Sequence, residues 1–240
     1  MVVCRMPETA RPSLLDELRQ RSEALQAQRA AARLPDEKAR HAIDGALWRA
    51  FRWLDEAMGH LEVIRPDVRH RFRLGDYLSF DDLQIDSGFA AFRRHGLGTG
   101  DRLEHVEMFY RLAAPKPAVV RVSPLAAAGV EERLRAAALH FHSEAEFDQE
   151  KVVRNTVFHV EPTIRASVRF KPDYRRHTID VMLRNVDRFE SVLLEFEPTA
   201  TDEPALEDLV RLVLGESNGF LHRAPLAHVN SRRDPTFRPR

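Results

Sequence analysis

One run of residues constrains this chain more than any other. Ile43, Leu47, Ala50, Leu54, Ala57 and Leu61 recur at alternating steps of four and three, and Trp48, Phe51 and Met58 widen the same apolar face. Only a helix brings such residues to one side, because each position turns the side-chain direction by about 100°. Asp36 and Glu37 put acidic charge in its first turn, where the helix dipole favours it, and Pro66 forbids continuation. Ahead of it, residues 12–34 read as a polar helix with a thin apolar stripe of Leu14, Leu18, Leu25 and Ala32, and Pro35 breaks the two apart. Residues 1–66 are therefore expected to form an N-terminal helical hairpin or one long arm. The wide face of the second helix, centred on Leu47, Trp48, Phe51 and Leu54, suits burial on a second copy of the chain, so a homodimer interface is expected there.

From Arg69 the period changes. Phe72, Leu74, Leu78, Phe80, Leu83 and Ile85 are spaced like short strands, with Gly75-Asp76 and Asp86-Ser87-Gly88 as turn signals. Val106, Met108, Tyr110 and Leu112 alternate with His105, Glu107, Phe109 and Arg111 as in a half-buried strand, and a short strand is expected at residues 118–122. Ser123 and Pro124 open a helix expected to run to about Phe141. Further strands are expected near 152–160, 164–170, 178–185 and 189–196, the middle pair forming a hairpin through the turn from Lys171 to Arg176. A last helix begins around Thr201 to Pro204 and stops at Gly215. The expected fold is α+β: the helical arm, then a mostly antiparallel sheet with helices packed on it over residues 67–228. Element order suggests a loose pseudo-duplication into 67–148 and 149–228, and residues 229–240 read as a disordered basic tail.

Charge separates function classes. The 37 basic and 37 acidic residues cancel, which removes the simplest form of a general nucleic-acid or membrane-surface binder. The cancellation hides two opposed blocks. Residues 151–188 carry nine basic and four acidic side chains, whereas residues 189–216 carry eight acids against Arg211 alone. Arg165 and Arg169 share one face of a strand, with Arg176 and Arg184 near them on the next, which makes a surface for phosphate, carboxylate or an acidic partner. Salt bridging to the acidic block is the competing use of the same charges. Aromatic side chains that would stack on single-stranded nucleic acid are sparse there, with Phe170 and Tyr174 the nearest. Of the basic residues 33 are arginine, which coding bias in a GC-rich genome explains as well as phosphate binding does.

The remaining candidates are weaker. His140, His142 and Glu144 would face one side of a strand and converge on a metal, but on a helix the two histidines point about 200° apart. The segment reads as a helix end, where His suits the dipole. Gly96-Leu97-Gly98-Thr99-Gly100 precedes a strand rather than a helix, so it reads as a hairpin turn and not a phosphate loop. Asp81, Asp82 and Asp86 lack the spacing of a calcium loop. Cys4 has no partner for a disulfide, the first residues contain no signal-like apolar core, and no apolar run reaches the roughly 18 residues of a spanning helix. The expectation is a non-enzymatic cytoplasmic interaction or adaptor protein, without cofactor or membrane, partnered by itself and by an unknown protein. The alternative is a module for a phosphate-bearing ligand or RNA on Arg165, Arg169, Arg176 and Arg184. A metal-dependent hydrolase on His140, His142 and Glu144 comes last.

Overall fold

A computed structural model describes residues 14–94, 96 and 102–230. The expected frayed residues 1–11 with Cys4, most of the glycine loop at 96–100 and the basic tail beyond Asn230 lie outside the described residues. The chain divides into two compact units, residues 1–41 and 42–240.

Helix α1 (Leu14–Ile64) is continuous, so the expected break at Pro35 does not occur. A proline inside a helix removes one ladder hydrogen bond, a local cost that the flanking turns can bear, and the next turn gains an Asp36–Arg40 ion pair at 2.7 Å. In the first unit the helix exposes Leu15, Leu18 and Leu25. In the second, its periodic face is sealed: Ile43, Leu47, Ala50 and Leu54 are fully buried, with Met58 and Leu61 nearly so. The segment 42–64 therefore belongs with the sheet in packing terms. At its end Arg65 turns into the left-handed region, with φ 49°, before Pro66.

The main sheet is antiparallel throughout and contains β1 (Asp67–Val68), β4 (Leu83–Arg94), β5 (Leu103–Ala113), β9 (Thr163–Asp173), β10 (Thr178–Arg184), β11 (Ser191–Phe196) and β12 (Leu226–Asn230), in that spatial order. A small hairpin of β2 (Phe72–Leu74) and β3 (Leu78–Phe80) lies between β1 and β4 in the chain, turning at Gly75. A separate three-stranded sheet places β8 (Val153–Val160) between β6 (Ala118–Val122) and β7 (Phe141–Phe147). Strict alternation explains why one face of the main sheet is buried: Val106, Met108, Tyr110 and Leu112 of β5, and Ile164, Ala166, Val168 and Phe170 of β9, are all at most 3% exposed. These residues join one core with α1 and with α3 (Glu203–Leu214), whose Leu206, Leu209, Leu212 and Val213 complete it. Burying each of the valine, leucine, isoleucine, methionine and phenylalanine side chains among them is worth about 1.5–3 kcal/mol. The ends of α3 are as read from sequence, with Asp202 accepting from the Ala205 N–H at 3.0 Å and Gly215 left-handed at φ 72°. The expected α+β architecture is thus the observed one.

Three further expectations need correction. Asp86-Ser87-Gly88 is not a turn but a β-bulge inside β4, where the register slips between Ile85 and Ser87. Helix α2 (Pro124–Ala136) stops well before Phe141, because Ala138 is left-handed at φ 57° and donates its N–H back to the Arg135 carbonyl. The residues after it form β7, so His142 and Glu144 lie on a strand. Finally, Val229 and Asn230 belong to an edge strand paired with Val192 and Ser191, not to the tail. Among the described residues no helix is long and apolar enough to cross a membrane.

Candidate binding face

The face of the main sheet opposite the core is where the arginine strands present their side chains. Register gives its layout. Phe89 of β4 stands opposite Phe109 of β5, which stands opposite Ser167 of β9, which stands opposite Arg184 of β10. The adjacent row runs Ala91, Glu107, Arg169, Met182 and Leu193. On the other side Arg111 faces Arg165. Neighbouring strands lie about 4.8 Å apart, so Phe109 and Arg184 are separated by about 10 Å along their row. Arg165, Arg169, Lys171 and Arg184 are all exposed. Phe89, Phe109 and Met182 are 57%, 36% and 43% exposed, where the opposite face is sealed.

The four arginines singled out by sequence do not have equal standing. Arg176, in the turn between β9 and β10, is held by three carboxylates: Asp173 at 2.7 Å, Asp180 at 2.9 Å, and Glu195. Hydrogen bonds from Arg176 hold the Asp173 carboxyl down at about 2. Arg169 forms an ion pair at 2.9 Å with Glu107, a carboxylate only 5% exposed on this otherwise open face. Arg111 donates to Asp86 at 2.6 Å, which relieves its like-charge opposition to Arg165. Arg165 and Arg184 have no carboxylate partner among the described residues, and their cationic groups are available to a ligand.

Arg184 also lines a groove of about 350 Å³ where the sheet meets the last turn of α2. Arg133, Arg135, Asn185, Glu190 and Ser191 contribute to its walls. Arg135 is engaged by Glu131, and Glu190 by Arg188 at 3.5 Å, whereas Arg133 has no ion-pair partner among the described residues. The groove therefore carries uncompensated positive charge. Asn185 sets its floor: buried and left-handed at φ 52°, it donates through Nδ2 to the Arg165 carbonyl at 3.1 Å and to the Ala137 carbonyl at 3.3 Å. Its own N–H donates to the Glu190 carbonyl at 2.9 Å.

The other expected site residues fall elsewhere. Leu47 and Leu54 are spent in the core of their own chain, leaving Trp48 and Phe51 half-buried against Phe92, with ring centroids 4.9 and 4.8 Å away. His142 stacks on His159 at 4.6 Å, and His159 Nε2 lies 2.9 Å from Glu144. His140 lies just outside the β7 strand, and its carbonyl accepts from the Glu161 N–H at 2.9 Å. No three His, Cys, Asp or Glu side chains are placed to hold a metal ion among the described residues. Phe170 faces the core, and the Tyr174 hydroxyl donates to Asp44 on α1, so neither aromatic belongs to the open face.

Sequence reasoning missed the Phe89–Phe109 pair, whose ring centroids lie 5.4 Å apart with planes tilted by 34°. Phe109 was legible from the alternation of its strand. Phe89 was not, because Leu83 and Ile85 point inward and only the bulge at Ser87 reverses the parity of the later β4 residues.

Fold and face together define an α+β protein built on an antiparallel sheet with one face buried and the other offered to solvent. The chain matches no family of known proteins, no curated protein and no solved structure.

Proposed function

We propose that this chain is a non-enzymatic binding protein whose open sheet face takes a phosphate-bearing ligand. The observation that carries this reading is the contrast among the arginines. Arg176 and Arg169 are neutralised within the fold, while Arg165 and Arg184 present guanidinium groups with no carboxylate partner among the described residues, joined by Arg133 across the groove. Guanidinium matches phosphate in charge and in its fork of donors, and an arginine that no carboxylate holds keeps that fork open to a ligand. Titration calorimetry with sodium polyphosphate at low and high salt tests the reading. Binding that weakens steeply with salt and falls in Arg165→Ala/Arg184→Ala supports it. Salt-independent binding, or binding unchanged in the variant, sinks it.

Self-association through the N-terminal helix is a second reading, favoured by a separate observation. Leu15, Leu18 and Leu25 are 59%, 54% and 51% exposed, with Leu18 and Leu25 seven residues apart as in a coiled-coil seam. A second copy would cover that stripe, and Leu18→Glu/Leu25→Glu should then shift a dimer to monomer in sedimentation velocity. A monomeric wild-type chain at micromolar concentration would remove this reading.

A further inference from the structure

Resting on the proposed anion-binding role of the open face, we infer that its ligand is single-stranded nucleic acid, with a base stacked on the Phe89–Phe109 pair and the backbone following the row toward Arg184 and Arg165. The face combines two things that an inorganic anion does not need together. Two phenyl rings sit opposite each other on neighbouring strands, exposed, with centroids 5.4 Å apart. Cations without a carboxylate partner among the described residues then occupy the same surface: Arg184 in the same cross-strand row, about 10 Å from Phe109, and Arg165 two residues along β9 from Ser167. Exposed phenyl rings cost solvation unless a partner covers them, and a base offers a flat apolar face with a phosphate attached on either side. Polar Ser167 lies between ring and guanidinium, where sugar and backbone oxygens would pass.

The occupant is single-stranded because a base within a duplex has both faces covered by its neighbours and cannot reach a ring borne on a sheet. Few phosphates are contacted. Arg165, Lys171, Arg184 and Arg133 carry no ion-pair partner among the described residues, consistent with a site reading a short stretch in a chain of zero net charge. For four phosphates the slope of log affinity against log salt should be no steeper than about −3.

The test is fluorescence anisotropy of a labelled single-stranded RNA of mixed sequence on the full chain, with its duplex form and sodium polyphosphate as competitors. The inference expects the single strand to bind more tightly than either competitor, and Phe89→Ala/Phe109→Ala to weaken it about tenfold or more while leaving polyphosphate affinity unchanged. Phe89→Tyr/Phe109→Tyr, which keeps the stacking surfaces, should retain affinity. A single strand that binds no better than polyphosphate, or that ignores the loss of both rings, overturns this inference and leaves the anion-binding reading standing. Equal binding of the duplex overturns it as well. Failure of every phosphate-bearing probe at low salt overturns both.

Discussion

Arg169 on β9 reaches directly across the ladder to Glu107 on β5, and the 2.9 Å ion pair secures a carboxylate that is 5% exposed on the open face of the sheet. His105 lies further off, 3.9 Å from the same carboxylate. The pair neutralises one arginine of the basic strand within the fold. Arg169→Ala leaves Glu107 buried without its main partner and should cost about 1–3 kcal/mol in urea denaturation. Arg169→Ala/Glu107→Gln should recover much of that loss, and a double variant as unstable as the single one would show that the pair is not what stabilises this spot.

Asn185 performs three hydrogen-bonding tasks in a backbone conformation that few residues tolerate. Asn185→Gly keeps the left-handed backbone but strands two buried carbonyls, so it should destabilise by about 1–2 kcal/mol; Asn185→Leu, which also opposes φ 52°, should cost more. Thermal unfolding checks the order. Equal losses would mean that the backbone conformation contributes nothing.

Gly88 sits where α1 crosses β4. A Cβ there would stand 2.2 Å from the Met58 terminal methyl and 2.8 Å from the Phe109 carbonyl oxygen. Met58 can move but the carbonyl cannot, so Gly88→Ala should destabilise by about 1–3 kcal/mol. Trimming Met58 to Ala in the same chain should not rescue it fully.

Much of this fold was legible in the sequence, and the exceptions share a cause. The helix face from Ile43 to Leu61, the hairpin of β9 and β10, and the caps of α3 follow from periodicity or from residues acting on their immediate neighbours. The bulge at Ser87 and the left-handed Ala138 are not marked by a residue type that demands them, yet each changes which side chains share a face. For the site, the common face of Arg165, Arg169 and Arg184 was readable from alternation. Which of the basic residues remain without a carboxylate was not, since the partner of Arg169 comes from β5 and one partner of Arg176 from β11.

The Asp173 carboxyl makes one contribution to stability depend on pH. Its folded value, about 2, lies below the ordinary 3.8, so the unfolded chain binds the proton first. Its contribution is complete above about pH 4 and is lost as pH falls toward 2. Arg176→Ala should raise the Asp173 midpoint toward 3.8, read by NMR titration of the side-chain carboxyl; an unmoved midpoint would mean that Arg176 is not its cause.

Burial and a hydrogen bond to Asp44 push the Tyr174 hydroxyl well above the ordinary 10, and burial does the same to Tyr110. Neutral tyrosine is favoured in the folded chain, so stability should fall as pH rises past 10. A spectrophotometric titration should show Tyr110 and Tyr174 resisting ionisation past pH 10 while the chain stays folded. Ionisation of Tyr110 and Tyr174 near pH 10 with the fold intact would contradict the placement of both hydroxyls.

Amide chemical-shift mapping with sodium polyphosphate is the sharpest test of phosphate binding on the open face, because it reports where a phosphate-bearing ligand sits without presuming which side chain holds it. Salt-sensitive shifts are expected on Phe109, Ser167, Arg165 and Arg184 and on the end of α2 near Arg133, with residues 42–64 of α1 silent. Shifts confined to the helical arm, or scattered over every exposed arginine including Arg176, would contradict it.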